Sequence, residues 1–258
     1  MRTLVVAGAG IGGLTAALAL ARKGFAVALA DKAEKLEETG AGIQLSPNAT
    51  RVLCGLGLRE RLAGAVVAPE AVIIKTRRNR EIARLRLGPE AETRYGAPYW
   101  MIHRGDLQAA LLDEVRAHPA ITLALGTPVD GFAIQAKGLA VPALRDLASE
   151  DAIGLVGADG LWSRLRAEIG ETAQPVFARR TAWRALVPAE AVAPEFRAPA
   201  VHLWLGRGSH LVHYPVKGGR MINIVAIADD ASRTSDQGWS TAATADDVMA
   251  RFSGRRPK

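Results

Sequence analysis

Val5-Val6-Ala7-Gly8-Ala9-Gly10-Ile11-Gly12-Gly13 is followed about twenty residues later by a second apolar run, Phe25 to Ala30, that ends in Asp31. This stretch decides the fold. Leu4 to Ala7 suits a short buried parallel strand, and a helix from about Ile11 to Lys23 follows the glycines. In such a strand–turn–helix–strand unit Gly8 makes the tight turn, Gly10 lets backbone approach a pyrophosphate, and Gly13 lets helix and strand pack closely. The helix N-terminus offers free amides and its positive dipole end to phosphates. Asp31, at the tip of the second strand, suits a ribose hydroxyl.

The same residues admit two other readings. One is a glycine-rich turn that binds nothing. The other is a secretory leader, because Leu4 to Ala21 carries no charge, Arg2 precedes it, and Ala19-Leu20-Ala21 resembles a peptidase site. Against the leader stand four glycines, Gly8, Gly10, Gly12 and Gly13, which would interrupt a continuous apolar helix.

Composition narrows the class. The chain has 258 residues, 49% hydrophobic and 23% charged, which suits a globular protein of one large or two smaller domains. A single cysteine, Cys54, excludes an internal disulfide framework and fits a reducing cytoplasm. It lies in Val52-Leu53-Cys54-Gly55-Leu56, where buried packing is expected. No other segment is apolar enough to span a membrane. The net charge of +7 is scattered apart from Lys75 to Arg80 and the terminal Arg255 to Lys258, neither interleaved with aromatic residues. A surface attractive to anionic ligands therefore explains the charge better than nucleic acid does.

Further along, Glu37 to Asn48 is a glycine-containing loop leading to a helix that starts near Ser46-Pro47 and stops near Gly55 or Gly57. Residues 71 to 87 alternate as an antiparallel hairpin would. His103-Arg104-Gly105-Asp106-Leu107 opens a helix to about His118, with Leu107, Leu111, Leu112 and Val115 on one face. Ile121 to Leu125 and Ile153 to Gly157 read as strands, the second running into Ala158-Asp159-Gly160, while 131 to 150 give no clear signal. Beyond Phe177 the runs Thr181–Pro188, Val201–Leu205, His210–Val216 and Met221–Ala228 describe a mostly antiparallel sheet, followed by an amphipathic helix, Thr244 to Phe252.

Taken in order, the opening motif, G-A-G-I-Q-L-S-P-N, H-R-G-D-L and G-A-D-G-L-W-S-R-L-R resemble those of the FAD-dependent aromatic monooxygenases. Trp183-Arg-Ala-Leu-Val-Pro188 and His213-Tyr-Pro-Val216 are most similar to the salicylate and 3-hydroxybenzoate branch. The resemblance spans essentially the whole chain. It implies an α/β fold with a Rossmann-like FAD-binding domain over 1–177, which sends a hairpin near 71–100 toward a smaller, mostly antiparallel substrate sheet over 178–258. It also implies bound FAD, NADH or NADPH as co-substrate, dioxygen and a small phenolic acid. In the family NAD(P)H reduces FAD, reduced flavin takes up dioxygen, and a C4a-hydroperoxide transfers one oxygen to the ring.

Carried over residue by residue, Gly8, Gly10 and Gly13 would cradle the pyrophosphate, Asp31 would bind ribose, and Gly42 and Ile43 would lie near the flavin ring. Arg104 would reach the phosphate or ribityl region, where a guanidinium fork suits anionic oxygens, although a surface ion pair would also suit it. Val129 would offer its backbone to the adenine side. Asp159, Gly160, Ser163 and Arg166 match D-G-x-x-S-x-x-R, associated in the family with FAD and the nicotinamide donor; helix capping is the plainer alternative. His213 would help deprotonate the phenol, or else be an ordinary core residue. His202 and His210 are expected to be structural or solvent-facing, and His118 to interact with a helix end.

The family's further Gly-Asp motif has no counterpart, since Gly105-Asp106 belongs to H-R-G-D-L. The resemblance therefore implies a fold incomplete at its C-terminus. It leaves three readings open: a working hydroxylase, a flavoprotein without turnover, and an NAD-dependent reductase or binding module using only the first motif. A homodimer in the cytoplasm completes the expectation, with no nucleic acid and no membrane.

Overall fold

The computed structural model describes residues 2–36, 41–136, 138–144, 152–230 and 242–252. In chain order they form β1 (Thr3–Ala7), α1 (Ile11–Arg22), β2 (Ala26–Ala30), β3 (Gly42–Leu45), α2 (Pro47–Gly55), α3 (Arg59–Leu62), β4 (Ala71–Thr76) and β5 (Glu81–Arg86). Next come α4 (Gly88–Tyr95), β6 (Trp100–His103), α5 (Arg104–Ala117), β7 (Ile121–Ala124), β8 (Ala133–Gln135), β9 (Gly138–Ala140), β10 (Gly154–Gly157) and α6 (Leu165–Glu168). The last are β11 (Arg180–Pro188), β12 (Ala200–Gly206), β13 (Ser209–Val216), β14 (Met221–Asp229) and α7 (Ala245–Phe252). Two compact units result, one from 1–39, 52–62 and 104–175, the other from 40–51, 63–103 and 176–258. The segments grouped with the second half are wider than a hairpin near 71–100.

The first unit is built on a parallel sheet in the order β10-β1-β2-β7. Its strands are apolar without alternation, because parallel strands are covered on both faces. Val5, Val6 and Leu29 are fully buried, as are Leu14 of α1 and Leu107, Leu111 and Val115 of α5. α1 and α5 pack side by side. Residues 131 to 144, which had no clear signal, form the hairpin β8–β9 and a short turn; 145–150 lie outside the described residues. Val141, Leu144 and Ala152 close over Val5, Ala28 and Ala30, with Val129 packed against them.

The second unit carries a six-stranded sheet, β11-β14-β13-β12-β4-β5, in which only β12 and β4 pair in parallel. β5 is the exposed edge and bears Glu81, Arg84 and Arg86, charges that discourage further strand pairing. Met101, Val201, Tyr214 and Val216 form the core on one side. On the other, α7 covers Trp183, Ala226 and Ala228 through Val248 and Phe252. α7 begins at a capping box: Thr244 Oγ1 accepts the Asp247 N–H at 3.3 Å while Asp247 Oδ2 accepts the Thr244 N–H at 2.7 Å.

Cys54 is half-exposed on α2, not buried as expected, because Thr50, Leu53 and Leu56 take the inward positions. Among the described residues, no helix is long and apolar enough to cross a membrane, and no group of His, Cys, Asp or Glu could hold a metal ion.

Candidate functional site

In the first unit the three motif glycines separate into two kinds. Gly8 has φ +104°, and a Cβ there would lie 2.3 Å from the Ala158 carbonyl oxygen. A Cβ on Gly13 would lie 1.7 Å from the Gly8 carbonyl oxygen, so the first turn of α1 sits directly on the loop. These two are required by the protein's own packing. Gly10 differs: its φ is −67°, which any residue adopts, and a Cβ there would meet nothing within 4 Å. Nothing inside the chain demands glycine at that position. The open space lies at the N-cap of α1, where no side chain caps the helix and the first turn holds no acidic residue. Such a helix end favours an anion.

Asp31 is already engaged by the loop. Its Oδ2 accepts the Ala9 N–H at 2.6 Å and its Oδ1 accepts the Ala33 N–H at 2.8 Å. The acid therefore braces the glycine turn, and its remaining lone pairs are what a ribose hydroxyl would meet. Arg104 opens α5 in the same unit and is half-buried. Val129 packs its side chain against the Val5 cluster.

The D-G-x-x-S-x-x-R segment holds itself together. Asp159 Oδ2 accepts the Arg164 and Leu165 N–H groups at 3.0 and 3.4 Å, and Ser163 Oγ accepts the Arg166 N–H at 3.0 Å. Arg166 donates back to the Gly160 and Leu161 carbonyls at 3.3 and 3.2 Å. Gly160 has φ +83°, which permits the turn. Asp159, Gly160, Ser163 and Arg166 also line one side of a shallow depression with Phe132, Leu155 and Ile169.

In the second unit Gly42 and Ile43 begin β3, paired with His103 and Ile102 of β6. Gly42 donates its N–H to Asn223 Oδ1 at 2.6 Å, and a Cβ there would come within 2.7 Å of the Tyr214 ring. Asn223 is fully buried and its Nδ2 has no partner. Neighbouring Tyr99 donates to Gln44 Oε1 at 2.9 Å, and burial pushes the Tyr214 phenol up to about 12. Local sequence carries no sign of Asn223 or Tyr214 as partners of Gly42.

His213 borders a cavity of about 450 Å³ in this unit, walled by Phe196, Trp204, Leu211, Ile224 and Phe252. The imidazole is buried among rings: His202 at 4.8 Å, Trp204 at 5.0 Å and Phe196 at 5.5 Å between centroids. Burial first, then the neighbouring His202 and Lys75, lower its pKa to about 4, so it is neutral at pH 7. His202 is directly opposite on β12 and is also buried, which leaves the structural one of its two expected places and not the solvent-facing one. Its pKa is lowered by burial and by Lys75 and Arg84, with Glu81 opposing. His210 lines the same cavity, whereas His118 accepts the Ala120 N–H at its helix end.

A profile of the family described as FAD binding domain matches residues 1–253. The chain is 34% identical over 260 residues to 3-hydroxybenzoate 6-hydroxylase 1 of Aquipseudomonas alcaligenes, covering 98% of this chain and 64% of that protein. It is 39% identical over 226 residues to 3-amino-4-hydroxybenzoate 2-monooxygenase of Streptomyces cremeus, covering 87% and 56%. Among solved structures, Klebsiella pneumoniae HpxO complexed with FAD and uric acid superposes with a TM-score of 0.79 at 23% identity, over 97% of this chain and 61% of that one. The likeness gives the fold of FAD-binding hydroxylases, an α/β domain with a mostly antiparallel sheet. The chain spans about three fifths of the length of the curated relatives it matches.

Proposed function

Because the chain belongs to the FAD-binding domain family, we propose that it binds FAD and hydroxylates a phenolic aromatic acid, resembling salicylate or a hydroxybenzoate, at the expense of NADH or NADPH and dioxygen. The observation that carries the reading is Gly10, a glycine that intramolecular packing leaves unexplained and that faces open space at an uncapped helix N-terminus. A pyrophosphate fits that space and that charge. Gly8 and Gly13 shape the loop, Asp31 adds its free lone pairs for ribose, and Arg104 supplies a guanidinium for anionic oxygens. The backbone at Val129 serves the adenine side, Asp159 fixes the second turn, and Gly42 and Ile43 serve the flavin ring.

FAD, once bound and reduced by NAD(P)H, supplies the activation of dioxygen. The protein's own contribution is to hold and shield the ring. His213, the residue expected as a base, stands next to Tyr214 on β13; Tyr214 meets Gly42, so the imidazole points to the opposite, α7-covered face of the sheet and is assigned no contact with the phenol.

The experiment is a visible spectrum of the desalted protein after incubation with FAD, followed by NADH and NADPH oxidation with and without 3-hydroxybenzoate. Retained flavin with ring-stimulated oxidation is the expected result. A protein that stays colourless overturns the FAD reading. Retained flavin with no stimulation by 3-hydroxybenzoate, nor by salicylate or 4-hydroxybenzoate in the same assay, overturns the hydroxylase reading. We place the protein in the cytoplasm as a homodimer, in line with its lone Cys54; sedimentation measures the second point.

A further inference from the structure

Asn223 of β14 is completely buried, and its amide is used on one side alone: Oδ1 accepts the Gly42 N–H at 2.6 Å, while Nδ2 has no partner among the described residues. An orphaned buried donor costs stability, and native interiors hold few of them. Fold stability alone therefore does not select an amide here. A leucine of nearly the same shape would remove the orphan at the loss of one bond. What the amide secures is the place of one backbone group. Gly42 opens β3, which pairs with β6. Its backbone rests so closely on β13 and β14 that a Cβ would come within 2.7 Å of the Tyr214 ring and 2.8 Å of Asn223 Cγ. Two residues on, and so on the same face of the strand, Gln44 is held as well. Tyr99 donates to its Oε1 at 2.9 Å, and Tyr214 hydrogen-bonds the same side chain. One face of β3 is thus pinned at two points, through its backbone at Gly42 and through its side chain at Gln44.

We propose that Asn223 is a positioning residue for the flavin ring: by accepting the Gly42 N–H it fixes how far β3 stands from the six-stranded sheet, and so fixes the seat of the ring along Gly42 and Ile43. This rests on the proposed placement of the ring beside those two residues. Being fully covered, the Asn223 side chain acts through Gly42 and not by contact with the ring. Tyr214 is the floor that sets the closest approach of β3, and Asn223 is the tie that prevents its withdrawal. Without the tie, the Gly42 end of the strand is free to lift while Gln44 still holds the other end. The pyrophosphate half of the cofactor, cradled at Gly8 to Gly13, does not depend on this bond.

The test is calorimetric titration of the full chain and of Asn223→Leu with FAD and with ADP, which shares the adenine, ribose and pyrophosphate but lacks the ring. The unmodified protein is expected to bind FAD more tightly than ADP by about tenfold or more. Asn223→Leu should lower FAD affinity by about tenfold, change ADP affinity by less than about twofold, and lower the fluorescence anisotropy of the bound flavin. Equal losses for both ligands, or no loss for FAD, make Asn223 a plain structural residue and overturn the proposal while leaving FAD binding intact. If the unmodified protein binds FAD no more tightly than ADP, the placement of the ring beside Gly42 is overturned and the role of Asn223 with it. Should the variant not fold, ¹⁵N spectra of the unmodified protein decide: FAD should shift the Gly42 and Asn223 side-chain amide signals, and ADP should leave them in place. Signals moved equally by both ligands, or by neither, refute the tie.

Discussion

Asp31 Oδ2 accepts the Ala9 N–H at 2.6 Å, across twenty-two residues of chain, and so ties the tip of β2 to the glycine turn. The same carboxylate takes the Ala33 N–H at 2.8 Å. An acid at the end of the second strand thus shapes the loop before any ligand meets it. Asp31→Ala removes a charged acceptor from two backbone donors, for which a loss of about 2 kcal/mol is expected. Urea denaturation should show the midpoint fall, and FAD affinity should fall with it. A variant of unchanged stability that had lost FAD would mean that Asp31 acts on the ligand alone.

Gly10 and Gly13 should part company when each is changed to alanine. A Cβ at Gly13 meets the Gly8 carbonyl at 1.7 Å, so the helix must move off the loop, at a cost of roughly 2 kcal/mol or more. At Gly10 the Cβ enters open space from an ordinary φ of −67°, and stability should change by no more than about 0.5 kcal/mol. FAD binding should nonetheless weaken by at least tenfold, as the methyl occupies the approach of the pyrophosphate. Thermal melts together with flavin fluorescence titrations separate the two effects.

How far the sequence disclosed this site depends on the distance between partners. The turn at Gly8 to Gly13 was legible because strand, turn, helix and acid lie within one local unit. Asn223 and Tyr214, which close on Gly42, were not, because 181 residues separate Gly42 from Asn223 and only the folded sheet brings them together. The histidine pair lies between these cases. Gly206 pairs with Ser209 across Arg207-Gly208, and Gly208 has φ +63°. Such a two-residue turn fixes the register, and counting back by twos puts His202 opposite His213. The glycine of the turn is visible in the sequence, but the register follows only once the pairing of Gly206 with Ser209 is known. Residues 131 to 144 gave no periodicity because β8 and β9 are three residues each, too short to show any.

The same imidazoles make stability depend on pH. His213 has its pKa lowered from 6.5 to about 4 in the folded chain, chiefly by burial, and His202 is lowered for the same reason. Between those values the unfolded chain binds a proton at His213 that the folded chain refuses, so stability falls as pH drops from about 6.5 toward 4 and levels off below. The effect at His213 is of the order of 3 kcal/mol. His213→Phe should flatten this limb of a melting-temperature profile taken from pH 7 to pH 4. A profile equally steep in the variant assigns the loss to other groups.

Gly42→Ala tests whether that glycine is set by the sheet beneath it. The added Cβ would stand 2.7 Å from the Tyr214 ring and 2.8 Å from Asn223 Cγ, both buried and neither at the end of a flexible side chain. Relief requires moving a core ring or stretching the bond from the Gly42 N–H to Asn223. Overpacking of this kind costs about 1–3 kcal/mol. Shrinking the neighbour should offset it: Tyr214→Leu placed together with Gly42→Ala should be less destabilised than the sum of the two single changes. Strict additivity in a double-mutant cycle read by urea denaturation would show that the glycine answers to something other than Tyr214.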